Sequence, residues 1–299
     1  MTAFLQYLVN GLTIGSFLAL IALGYTMIYG IIRLINFAHG DVFMIGSFVG
    51  YSVVSTLVAQ HWPAALIIIV AMLAGMGATG VLGMVVERVA YQPLLNRSRL
   101  AILISALGVS LALEEGARIQ FGAGFSSYPN VLPSSGFSLG GARTSYAQVG
   151  VFVLSLVLMI ALYLFVQRTP TGTAMRALAM DRDAARLMGI NVERTIILTF
   201  LLGSVLAGAS VVMQGLYYSQ INFIMGFAIG LRAFTAAVLG GIGNLPGAMV
   251  AGFLIGLIQS FSDGYISSNW SDAIIFGVLI AVLVFKPTGI FGERVVERV

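Results

Sequence analysis

Apolar runs of membrane-spanning length recur along the chain, separated by short polar interruptions. A helix needs roughly 20 apolar residues to cross the hydrocarbon, and such runs lie at 8–31, 41–59, 64–86, 100–119, 149–167, 195–214, 226–243, 248–262 and 272–285. The pattern predicts an all-α polytopic membrane protein of about nine transmembrane segments, in a range of eight to ten, folded as one transmembrane domain over residues 1–299. Two runs are weak: 226–243 is Gly-rich and carries Arg232, and 248–262 is short. One of the two is expected to be broken or re-entrant, which membranes tolerate where protein or water satisfies the backbone.

Polar clusters interrupt the pattern at three places. The first, IRLINFAHGDVF, sets Asn36, His39, Gly40 and Asp41 between the first two runs. Asp41 is placed to cap the following helix, and His39 can hydrogen-bond or titrate near neutrality. A packed interhelical turn and a lining or gating role both fit. The second, LGGIGNLPGA, concentrates Gly240, Gly241, Gly243, Asn244, Pro246 and Gly247, a composition that interrupts helix. The third is the charged stretch RALAMDRDAARLMGINVER at Arg176–Arg194. At 100° per residue, Ala174–Gly189 reads as one amphipathic helix, with Arg176, Arg182, Asp183 and Arg186 on one arc and Ala177, Leu178, Ala184, Ala185, Leu187 and Met188 on the other. Asp181 falls within the apolar arc, where a specific partner contact is expected. Gly189 supplies a helix stop, and Asn191 caps the next run.

Composition agrees with the membrane reading: 59% of residues are hydrophobic and 9% charged, against ~25% charged in soluble domains, and the mean hydropathy is +1.00. The 36 glycines suit close helix packing. Ala248, Gly252 and Gly256, and likewise Ala71 and Gly75 followed by Gly77, Gly80 and Gly83, mark packing faces, within one subunit or between subunits. No cysteine is present, which excludes disulfides and thiolate metal sites.

Charge sets the expected orientation. Eleven of the fifteen basic residues fall in the segment holding Arg88, Arg97 and Arg99, in the loop 168–194, and in the tail with Lys286, Arg294 and Arg298, which the positive-inside rule makes cytoplasmic. Nine crossings then leave the C-terminus inside and the N-terminus outside. No Lys or Arg precedes Arg33, so the first run lacks the basic start of a signal peptide and is expected to be retained. The Gly-, Ser- and Pro-rich segment 121–148 falls outside, as a linker or as a surface receiving an extracytoplasmic partner. Although the pI is near 9.5, the basic residues are dispersed among loops, and nucleic acid is not an expected partner.

The energy source follows by elimination. The chain has one lysine, Lys286, and no G-x-x-x-x-G-K-[ST] loop, so ATP hydrolysis would have to come from another subunit. Gradient coupling needs ionisable groups within the spans. The acids map almost entirely to loops and span ends, with Glu114 and Glu115 the only pair expected even shallowly in the bilayer, so an ion-coupled carrier is disfavoured. The charged loop is then either an interfacial helix on the headgroups or a docking helix moved by a cytoplasmic partner.

Four ordered motifs carry a family resemblance: GYTMIYGIIRLINFAHGDVFMIG at Gly24–Gly46, the loop Arg176–Arg194, FTAAVLGGIGNLP at Phe234–Pro246, and KPTGIFG at Lys286–Gly292. Together they resemble, almost end to end, the LivH-type permease of the branched-chain amino acid ABC transporters. The resemblance implies an importer: a second, different permease chain, two cytoplasmic ATPase subunits that bind ATP and Mg, and a periplasmic solute-binding protein, in the bacterial inner membrane. It implies a coupling role for Arg176, Ala177, Asp181, Asp183, Ala184, Gly189 and Asn191, no cofactor in this chain, and a seat for the binding protein at 121–148. Urea or short amides are the alternative cargo. A zwitterion with an apolar side chain needs donors, acceptors and a greasy pocket, and Tyr25, Asn36, His39, Ser105, Gln214 and Thr235 are the candidate pathway residues, each also explicable by ordinary interhelical hydrogen bonding. NFAHGDVFMIG and GNLPGAMVAG both set a polar turn before a Gly-bearing span, a short match that leaves an internal duplication open.

Overall fold

The computed structural model describes residues 2–95, 97–132 and 135–292; Arg294 and Arg298 of the basic tail lie outside them. The helices in chain order are α1 (Thr2–Ile32), α2 (His39–Ala59), α3 (Ala64–Val86), α4 (Arg99–Phe121), α5 (Tyr146–Arg168), α6 (Pro170–Met180), α7 (Arg182–Leu187), α8 (Val192–Tyr218), α9 (Met225–Gly240), α10 (Leu245–Tyr265) and α11 (Ser268–Phe285). Among the described residues, eight helices are long and apolar enough to span a membrane, at the lower edge of the expected range.

The remaining run, 226–243, is α9, and it is a short helix rather than a full span. Its 16 residues extend about 24 Å at 1.5 Å per residue, short of a ~30 Å hydrocarbon core. The chain turns at Ser219, whose φ is 56°, and α9 begins inside the bundle with Gly226 against Gly40 and Asp41 of α2. Run 248–262, equally suspect in the sequence, extends to the 21 residues of α10.

α1 forms the centre, with 18 buried residues. It runs antiparallel to α10: Gly11 faces Leu257, Gly15 faces Phe253, and Gly252 and Gly256 sit on the backbone of Ala19 and Gly15. A Cβ on Gly256 would strike that backbone, so the small-residue spacing on α10 is used within the subunit. The α3 face is also used within the subunit, with Gly75, Gly80 and Gly83 against Val212, Leu201 and Ser204 of α8. Close backbone approach lets dispersion replace the hydrophobic drive that lipid cannot supply. α4 and α11 instead present large apolar side chains outward, among them Leu100, Ile104, Leu111, Ile280, Val284 and Phe285.

Several local expectations are corrected. The first break lies at Arg33–Ala38, where Arg33 adopts a φ of 57°. Gly40 is not a break but part of the first turn of α2, and its nearest neighbour is the Gly226 carbonyl. Asp41 does not cap α2: Ala38 is the N-cap and makes no side-chain bond. At the second break Gly240 still closes α9. Gly241 and Gly243 make the turn with φ of 93° and 95°, values that a side chain would strain. Asn244 caps α10 by accepting from Gly247 N at 2.9 Å, and Pro246 sits in its first turn, where a missing N–H costs nothing. Segment 121–148 is no plain linker: strands β2 (Gly136–Leu139) and β3 (Ala142–Ser145) form a hairpin. Strand β1 (Ser126–Ser127) pairs with β4 (Gln220–Ile221), which fastens this segment to the turn that feeds α9.

Candidate functional site

The charged end is built from two helices, not one. Asp181 has extended backbone, φ −150° and ψ 119°, and ends α6. Its carboxylate then accepts from the backbone N of Asp183 at 2.8 Å and of Ala184 at 3.0 Å, capping α7. The expected single helix over 174–189 is therefore split. Helical periodicity could not show this, because an Asp fits an N-cap as readily as a helix face. Asn191 accepts from Arg194 N at 2.9 Å and caps α8, and Gly189 turns the chain between them with φ 82°.

Arg176 points back into the protein. Its Nη1 donates to the carbonyls of Val166 and Gln167, both at 3.0 Å, and so clamps α6 to the last turn of α5, where unpaired carbonyls attract cations. Ala177 is half-buried, while Asp183, Ala184 and Gly189 are exposed. The arcs divide differently from the helical-wheel reading: Met175, Leu178 and Ala185 are buried, but Leu187 is 88% and Met188 82% exposed. Met180 stands out equally, at 82%. Three large apolar side chains thus project from a polar loop. The Arg186–Asp183 pair, 3.9 Å apart and exposed, contributes little. Beside this edge, Arg33, Arg97, Arg99 and Arg182 surround a cavity of about 460 Å3. Burial pushes the Arg182 guanidinium pKa below its ordinary value, with Arg186 and Arg33 adding to the depression and Asp183 opposing it.

Deeper in the bundle, the foot of α2 gathers Tyr25, Asn36 and His39 of the sequence candidates. The Tyr25 and His39 rings meet edge to face at 4.8 Å, and Tyr91 donates to Asn36 Oδ1 at 2.9 Å. Ser105 donates to the Ala90 carbonyl at 3.0 Å, one residue from Tyr91. Neither ring nitrogen of the buried His39 has a partner among the described residues. Thr235 only bonds its own helix, at Leu231 O.

The acids are distributed differently from the sequence expectation. Asp41 and Glu87 are buried, whereas Glu115 is exposed and paired with Arg118 at 2.6 Å. Ser110 donates to Asp41 Oδ2 at 2.5 Å. Glu87 becomes internal because helical structure does not stop at Val86: a π-turn over Glu87–Tyr91 and a 3-10 turn over Gln92–Leu94 continue it. A π-turn is invisible to a 3.6-residue period, so the sequence carried no signal for Glu87 or Tyr91.

Gln214 lies apart from this group. It lines a cavity at the end of the bundle opposite the charged loop, with Tyr218, Asn222, Arg232, Gln259 and Asp263. Arg232 donates Nε and Nη2 to the two oxygens of Asp272, at 2.6 and 3.0 Å. Sequence reasoning named Gln214 but missed the Arg232–Asp272 pair and the other residues around it, although an Arg inside an apolar run was the signal.

Comparison with known proteins gives a consistent result. The family described as the permease component of branched-chain amino acid transport systems matches residues 7–283. The chain is 43% identical to the high-affinity branched-chain amino acid transport system permease protein BraD of Pseudomonas aeruginosa, over 99% of this chain and 98% of that one. It is 40% identical to the permease protein LivH of Escherichia coli K12, with the same coverage. Among solved structures, an inward-facing metal-chelate type ABC transporter shares the fold, with a TM-score of 0.50 at 19% identity, over 93% of this chain and 85% of that one.

Proposed function

Because this chain belongs to the family of branched-chain amino acid transport permeases, we propose that it moves branched-chain amino acids inward across the bacterial inner membrane as one permease subunit of an ATP-driven importer. Its full-length agreement with two permeases of that substrate class carries the reading. A second permease chain completes the pathway. Two cytoplasmic ATPase subunits bind ATP and Mg, and a periplasmic binding protein delivers the amino acid to the face that carries the β2–β3 hairpin. The charged loop then lies in the cytoplasm.

Residues at that loop support an ATPase-docking role. Met180, Leu187 and Met188 present an apolar tip, and such a tip is favourable only when covered. The caps at Asp181 and Asn191 and the Arg176 clamp make the loop stiff enough to pass a push from the ATPase into α5 and α8. Closure of the ATPase pair would move the two loops together and rock the permease subunits between outward and inward openings.

Reconstitution of the chain with its partner permease, ATPase subunits and binding protein in proteoliposomes tests this. Leucine uptake should require ATP, and Leu187→Asp together with Met188→Asp should abolish it while the permease stays in the membrane. Uptake driven by a proton or sodium gradient without ATP would overturn the reading.

A further inference from the structure

The cavity at the end opposite the charged loop is an open cleft lined by α1, α8, α9, α10 and the turn before α9, and measures about 350 Å3, within the ~300–1,000 Å3 of small-molecule sites. Its lining combines three kinds of chemistry. Ile14, Leu18, Met225 and Ile229 offer aliphatic surface. Arg232 lines the cavity as a cation, and since Asp272 takes Nε and Nη2, the Nη1 donors remain. Asp263 lines it as an anion, with Ser271 bonded to Oδ1 and Oδ2 left over. Two further acceptors, Gln214 Oε1 and Asn222 Oδ1, are buried without a partner among the described residues. Buried acceptors are costly to leave unmade, so these oxygens call for a donor, which a ligand supplies when either side-chain amide turns into the cavity that its residue lines.

One anion and two orphan carbonyl oxygens suit an ammonium group, which brings three N–H donors and no acceptor. The free edge of a guanidinium suits a carboxylate. An aliphatic wall in the same cavity suits a short branched side chain. We propose that this cavity is a binding site for an aliphatic α-amino acid within a single permease subunit: Asp263, Gln214 and Asn222 hold the ammonium group and Arg232 the carboxylate. The site rests on the reading of the chain as an amino acid permease, and it lies at the outer end of the bundle in the orientation given above. A simple amide would satisfy the two carbonyl oxygens but neither charge. An amine without a carboxylate would leave Arg232 unmatched. The site therefore lets the membrane subunit select its cargo in addition to the binding protein.

The test uses the assembled complex of both permease chains and the ATPase subunits in lipid nanodiscs, without the binding protein, titrated with radiolabelled leucine. Binding should saturate, and 4-methylpentanoate, which lacks the amine, and 3-methylbutylamine, which lacks the carboxylate, should each compete at least about tenfold more weakly. Asp263→Asn and Gln214→Leu should each weaken leucine about tenfold yet leave the weak competition by 4-methylpentanoate unchanged, because that ligand has no ammonium group to lose. If either variant binds leucine like the wild type, or loses both ligands in equal proportion, the site is wrong. Absence of saturable leucine binding overturns it too. ATP-driven leucine uptake by the same complex with its binding protein separates the two levels: if uptake persists while the site fails, the permease reading stands, and if the wild type takes up no leucine, both fall.

Discussion

Gly40 and Gly77 show how different the fate of two glycines can be in one bundle. A Cβ on Gly40 would meet the backbone of Gly226 and Gly230, which no rotamer change can relieve, whereas a Cβ on Gly77 meets nothing within 4 Å. Gly40→Ala is therefore expected to destabilise by ~1–3 kcal/mol, the cost of overpacking, and to lower the melting temperature of the purified protein. Gly77→Ala, on an open face of α3, should be neutral or stabilising by up to ~1 kcal/mol. Equal melting temperatures for the two would refute this packing account. At this scale the sequence was a partial guide. It flagged Asn36, His39, Gly40 and Asp41 as a polar break, but assigned Asp41 to a cap when it pairs with Ser110 instead. A partner 69 residues away in the chain leaves no local trace.

The charged loop at Arg176–Arg194 sets the problem at the scale of the element. Read as one helix, it makes Asp181 a carboxylate for a partner; built as two, it makes Asp181 the residue that starts the second. These readings separate experimentally, because Asn also caps helices well while Ala does not. Asp181→Asn is expected to keep ATP-driven uptake near wild type, and Asp181→Ala to lower it, since loss of a cap costs about 1 kcal/mol and frays a helix of six residues. If Asn fails as badly as Ala, the charge itself contacts the partner. The long spans were legible because period and hydropathy agree over 20 residues. The short α9 was only half legible: its composition marked it as weak, yet nothing local revealed that it starts inside the bundle, where the β1–β4 pair and the turn at Ser219 place it.

Across the whole molecule, charge and packing divide the labour. The clustered arginines predict the sidedness, and the absence of cysteine makes it directly measurable, because any introduced thiol is unique. Ser138→Cys in the hairpin should react with a membrane-impermeant maleimide applied to the outside of cells, and Met188→Cys only after permeabilisation. The reverse labelling would invert the orientation and with it the direction of transport. Packing, in turn, is organised around α1, whose glycines meet α10 some 240 residues later in the chain. Synthesis runs from the N-terminus, so the helix that ends up at the centre enters the membrane long before the helix that covers it. Its small-residue face must therefore wait in lipid through most of translation. The subunit closes around its first helix last, and a chain interrupted before α10 would leave that face open to any other small-residue helix in the membrane.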